Sequence, residues 1–79
     1  MKTYRYLLQA EHISRKKSLA LAKKLTDAGI TVTVADMHPV LSDMIMFVLS
    51  CTDTDAQKAR NMVWEENNGL YCIVDKLTH

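Results

Sequence analysis

Apolar residues along this chain follow two rhythms, and in one place they lose rhythm altogether. From Arg15 to about Ala28 they recur at helical spacing, with Leu21, Ala22, Leu25 and Ala28 on one broad stripe and Leu19 at its margin. From about Asp55 to Asn67 a second stripe gathers Ala56, Ala59, Met62 and Val63. After each stripe comes a glycine, Gly29 or Gly69, where a left-handed residue would end a helix. Each glycine is followed by strict alternation, ITVTV or LYCIV, which is the signal of a strand. Ser14 precedes the first stripe as a helix cap, and Thr54 with Gln57 reads as a capping box before the second. The exception is Met44 to Leu49, six apolar residues without a break.

The two halves align without a gap at an offset of forty residues, from Leu7 and from Phe47. Each reads as strand, helix, strand, spanning 4–36 and 44–76, and DMHPVLSD, with the only proline, joins them as a hairpin loop. Residues 1–79 therefore form one domain of order β-α-β-β-α-β. Two right-handed crossovers put both helices on one face of an antiparallel sheet ordered 4-1-3-2. That arrangement is the α+β, ferredoxin-like two-layer sandwich.

Alternation assigns side chains to faces. Tyr4, Tyr6, Leu8, Ile30, Val32, Val34, Met46, Val48, Leu70, Cys72 and Val74 are expected beneath the helices. The open face then carries Arg5, Leu7, Gln9, Thr31, Thr33, Ile45, Phe47, Leu49, Tyr71 and Ile73. A slip of one residue in the third strand would instead bring Met44, Met46 and Val48 to that face, which stays apolar either way. Leaving five or six large apolar side chains in water would forgo about 7–18 kcal/mol, comparable to the stability of a small domain. Leu7, Ile45, Phe47, Leu49, Tyr71 and Ile73 are thus the expected partner-binding residues, for another protein or a second copy in a homodimer. A tail or the hairpin loop folded over the face is the competing reading.

Composition narrows the classes. A 48% hydrophobic, 24% charged chain of net charge +1 is an ordinary globular domain, not a dedicated polyanion binder. The N-terminus lacks the apolar run of a signal peptide, and no stretch approaches the roughly 18 apolar residues of a membrane span, so the expectation is a cytoplasmic protein without a membrane partner. Cys51 and Cys72 have no zinc-binding spacing.

The stretch HISRKKS is the best candidate for chemistry. Basic residues in a first helical turn oppose the helix dipole. Ser14, Arg15, Lys16 and Lys17 could instead hold a small anionic ligand at free N–H groups, although a solvated helix flank explains the same charges. His12, Cys51, Asp53, Asp55 and Cys72 are expected to share one sheet edge, with the thiols too far apart for a disulfide. Trp64 falls off the second stripe one turn after Arg60, which can stack on it. No paired carboxylates, glycine-rich phosphate loop or nucleophile–base spacing is present, so no catalytic residue, metal site or cofactor is expected.

With its helix ending KLTDAGITVTV, the chain resembles ACT-type regulatory domains, although Glu11 and His12 stand where those domains usually place a glycine. That resemblance implies a ligand-sensing module working at the start of the first helix. The repeated strand and alanine-rich helix ending in glycine is similar to SPOR-type glycan-binding domains, which typically sit behind a membrane anchor. The topology also resembles RRM domains, which would imply single-stranded RNA stacking on Phe47 and Tyr71. Similarity to acylphosphatases extends to Arg15 near the first strand–helix loop but not to the apolar second central strand. The leading expectation is a small, non-enzymatic regulatory or interaction protein, such as an adaptor or inhibitor, with a ligand-sensing module and RNA binding as alternatives.

Overall fold

Both helices begin where a hydroxyl can satisfy a free backbone N–H. In the computed structural model, which describes residues 2–40, 43–69 and 71–77, the Ser14 hydroxyl accepts from Lys17 N at 3.3 Å and opens α1 (Arg15–Asp27). Gly29, at φ 87°, ends it: its N–H reaches Thr26 O at 3.0 Å and that of Ile30 reaches Leu25 O at 3.0 Å. In α2 (Asp53–Glu66) the cap is Thr52, whose hydroxyl accepts from Asp55 N at 3.2 Å. The cap therefore lies two residues before the expected one at Thr54, and Asp53 and Asp55 occupy the first turn of the helix, where negative charge suits the dipole. Asn68 and Gly69, at φ 56° and 75°, turn the chain out of it.

The strands are β1 (Tyr4–Ala10), β2 (Thr31–Met37), β3 (Ile45–Cys51) and β4 (Cys72–Lys76). They pair antiparallel in the order β2-β3-β1-β4, so the chain is a ferredoxin-like α+β sandwich with two central and two edge strands. The core lies between sheet and helices. Phe47, Leu8, Ile13, Leu25, Ile30, Ile45, Leu49 and Val63 are its largest fully buried side chains. Burying each contributes roughly 1.5–3 kcal/mol.

The core contains a correction. Ile45, Phe47 and Leu49, expected on the open face, are each 0% exposed beneath the helices, while Met46 and Val48 face the other way. Register explains it. Tyr6, Leu8 and Ala10 on the core side of β1 stand opposite Leu49, Phe47 and Ile45. Counting from the helix caps misplaces β3 because the two strand–helix connections differ in length. Glu11 to Ser14 separate β1 from α1, with Ile13 plugged into the core, whereas Thr52 alone separates β3 from α2.

A second correction lies in β2. The pairing shifts between Val32 and Val34, a bulge at Thr33, whose hydroxyl donates to Val48 O at 3.0 Å. Val34 is turned onto the open face, 50% exposed, instead of lying under the helices. Leu70, expected in the core, lies outside the described residues.

Two substitutions read out these assignments in urea unfolding. Phe47→Ala should cost about 3–5 kcal/mol, the range for emptying a packed aromatic site. Thr52→Ala should cost about 1 kcal/mol and Thr54→Ala about 0.5 kcal/mol or less, because only Thr52 satisfies a helix N–H.

Candidate protein-binding face

The face opposite the helices is built by the alternate residues of the same strands. Across it from β4 to β2, one row reads Asp75, Leu7, Val48, Val34 and the next Ile73, Gln9, Met46, Asp36. Arg5, Ser50 and Thr31 make a third row at one end. No described helix or strand lies over these rows. Leu7, Val48 and Met46 are neighbours on the two central strands, and Val34 and Ile73 extend the patch to both edges. Tyr71, just ahead of β4, is 47% exposed, and Leu77 follows the strand beside Arg5 at 45%. Val34, Asp36, Met37, Pro39, Met46 and Val48 line a shallow groove at the β2 side.

Of the six expected contact residues, then, Leu7, Ile73 and Tyr71 are at or beside this face, while Ile45, Phe47 and Leu49 are not. Met46, Val48 and Val34 take their place. The first two belong to the slipped reading of the apolar run; Val34 could not be found from alternation, because the bulge reverses it. With Phe47 buried, the aromatic pair that RNA stacking would use is reduced to Tyr71.

The start of α1 is already occupied. Ser14 caps the helix, and the Lys17 ammonium donates to the Glu66 carbonyl at 2.7 Å, satisfying an end of α2. Lys24 forms an ion pair with the Glu66 carboxylate. Of the four expected anion ligands only Arg15 and Lys16 make no such contact, and Arg15 lines a cavity with Ala35, Asp36 and Met37 of β2, so the cluster does not converge. Nearby, the His12 imidazole lies 3.2 Å from the Asp43 carboxylate, both side chains being 61% exposed, and His12 holds a left-handed φ of 60°. Asn67, buried, donates from Nδ2 to Glu11 O at 2.6 Å and ties the end of α2 to the same loop.

The expected gathering of His12, Cys51, Asp53, Asp55 and Cys72 at one edge does not occur. β1 and β3 are antiparallel, so their C-terminal ends lie at opposite edges. Cys51 stands opposite Tyr4 and Cys72 opposite Ala10, six residues or roughly 20 Å apart along β1. Burial raises both thiols, Cys51 further through Asp55, against a smaller lowering of Cys72 by Arg60. Both are free thiols buried in the core. At the Cys51 end, Lys76 lies over the Tyr4 ring, 3.6 Å from its centre, and 3.6 Å from Asp53. Trp64 does carry Arg60, 5.6 Å from its ring centre, and its indole also lies against the turn at Gly69, where a Cβ would come within 3.2 Å of it. Among the described residues no group of three His, Cys, Asp or Glu side chains is placed to hold a metal, and no helix is long and apolar enough to cross a membrane.

Fold and face together define a ferredoxin-like sandwich with an apolar strip on its uncovered sheet. No family model matches the chain, and no curated protein matches it. Among solved structures it is similar to the uncharacterized protein TM1266 from Thermotoga maritima, at a TM-score of 0.66 and 15% identity, over 98% of this chain and 100% of that one. At that identity the likeness shows the fold alone.

The Lys24–Glu66 pair makes its own pH prediction. The hydrogen bond and charge of Lys24, with a smaller part from Lys17, hold the Glu66 carboxyl below the usual glutamate range. A carboxyl lowered in the folded state supports stability above its ordinary pKa of about 4.3, and that support is lost as pH falls through the lowered value. An NMR titration should place the Glu66 midpoint below 4.3 or so, and Lys24→Met should move it back up.

Proposed function

We propose that this chain is a small non-enzymatic interaction protein that seats another protein's surface on the uncovered face of its sheet. The observation that carries the reading is the apolar strip of Leu7, Val48, Met46, Val34 and Ile73, contiguous across all four strands and without a described element over it. Covering the strip gains part of the roughly 1.5–3 kcal/mol of a full burial for each side chain, since Leu7, Val48, Met46 and Ile73 are already partly buried and Val34 is half exposed. Contiguous apolar surface of this kind marks contact sites on otherwise polar domains.

The shape of the face favours a macromolecule over a small ligand. It is a broad sheet with one shallow groove at its β2 side, whereas small-molecule sites are concave and enclose most of their ligand. Its rim carries Arg5, Asp36 and Asp75, the polar border expected around a protein contact. The basic helix contributes less than its composition suggests, since Lys17 and Lys24 are engaged within the chain. A regulatory, adaptor or inhibitor role fits a domain that acts by occupying a partner's surface.

Cross-linking and affinity capture in extract of the native host test this with two variants. Val48→Asp would bury an unpaired carboxylate in any contact on this face and should weaken capture at least about tenfold, with circular dichroism unchanged. Lys23→Glu, on the exposed side of α1, should leave capture intact. Equal capture by both variants, with both folded, would overturn the reading.

A further inference from the structure

We infer that the surface seated on the sheet is a second copy of this chain, related by a two-fold axis lying in the plane of the face and passing over Val48, so that Arg5 of each copy pairs with Asp36 of the other. This inference rests on the reading of the open face as a protein-binding surface and adds the partner and the geometry.

The charges on the face are arranged for it. Arg5 lies on β1 opposite Ser50, and Asp36 lies on β2 opposite Met46. The two are therefore separated by two strand spacings, roughly 10 Å, and by four residues, roughly 14 Å, along the sheet. β3 runs between them, and Val48, midway from Ser50 to Met46, marks the midpoint of the line joining them. Neither end of that line forms an ion pair among the described residues, although Arg15 lines a small cavity together with Asp36. Among the described residues Arg5 has no carboxylate partner, even though Asp75 is its diagonal neighbour, and Asp36 accepts only from the Met37 N–H at 2.7 Å. A cation and an anion placed symmetrically about an apolar centre are what an isologous contact requires, since every pairing is then made twice.

The same axis arranges the remaining side chains. On a grid of roughly 4.8 Å between strands and 6.8 Å between alternate residues, the line through Val48 perpendicular to the Arg5–Asp36 direction runs over Ile73. Val48 and Ile73 thus meet their own counterparts, Leu7 falls over the partner's Met46, and Asp75 falls over the partner's Gln9. No like charges are brought together. The strands of the two sheets cross at roughly 70°, near the orthogonal class of sheet packing. A shift of the axis by one strand would place Arg5 over an apolar or uncharged position and leave it buried without a partner, which is costly.

Charge reversal with mixing tests the pairing by sedimentation equilibrium. The native chain should be a dimer at micromolar concentration. Arg5→Asp alone sets an aspartate against Asp36 at both contacts, and Asp36→Arg alone sets an arginine against Arg5 at both; each should weaken self-association at least about tenfold. An equimolar mixture of the two variants restores both contacts and should sediment as a heterodimer within about threefold of native affinity. Restoration supports the inference. A native chain that stays monomeric to about 100 μM overturns self-pairing, while capture of a different protein lost in Val48→Asp would leave the face itself as a binding surface. A native dimer that Val48→Asp dissociates but the mixture does not restore overturns the Arg5–Asp36 geometry and keeps the face. A dimer indifferent to Val48→Asp overturns both.

Discussion

The pairing of β1 with β3, with Leu8 opposite Phe47, is the constraint from which the rest of the molecule follows. These are the two central strands, and each carries its largest apolar side chains on the side of the helices. Because side chains alternate strictly along a strand, this register decides both layers at once. With Ile45, Phe47 and Leu49 inside, Met46 and Val48 must be outside. A shift of one residue would exchange a phenylalanine for a valine in the core and change its volume, which close-packed interiors tolerate poorly.

The helices are held to one another by polar contacts as well as by the core. α1 and α2 run in opposite directions, so the start of one lies near the end of the other, and the Lys17 and Lys24 ammonium groups converge on Glu66. A lysine on the last carbonyls of a helix satisfies acceptors that have no intrahelical partner and complements the dipole there. Asn67 adds a buried contact to the Glu11 carbonyl. The basic run at the start of α1, unfavourable for its own dipole, is in part the cap of α2. What resembles a ligand site in one dimension is a structural clasp in three.

The opposite face is neither greasy throughout nor polar throughout. Its apolar strip is crossed by Gln9 and bordered by Arg5, Asp36 and Asp75. An apolar strip with a polar border is the make-up of surfaces that gain from being covered. The edges are managed too. β2 bears a bulge and β4 is five residues long and ends in Asp75 and Lys76, features that discourage indiscriminate strand addition.

Local chemistry alone determined the elements, their order and the layer architecture. Ser14, Gly29 and Gly69 punctuate the helices, the stripes through Leu21 and Leu25 and through Ala56, Ala59 and Val63 give their buried sides, and crossover handedness places both on one side of the sheet. Three things needed the third dimension. Which side of β3 is inside was undecidable where both alternations are apolar, and it turned on Ile13 filling the core from a longer connection. The exposure of Val34 depended on a bulge, which leaves no mark in the alternation of ITVTV. The fate of the lysines depended on Glu66, far away in the chain and adjacent only once two antiparallel helices have packed. Periodicity reports what a segment prefers by itself; register, bulges and tertiary ion pairs are settled by what each segment is packed against.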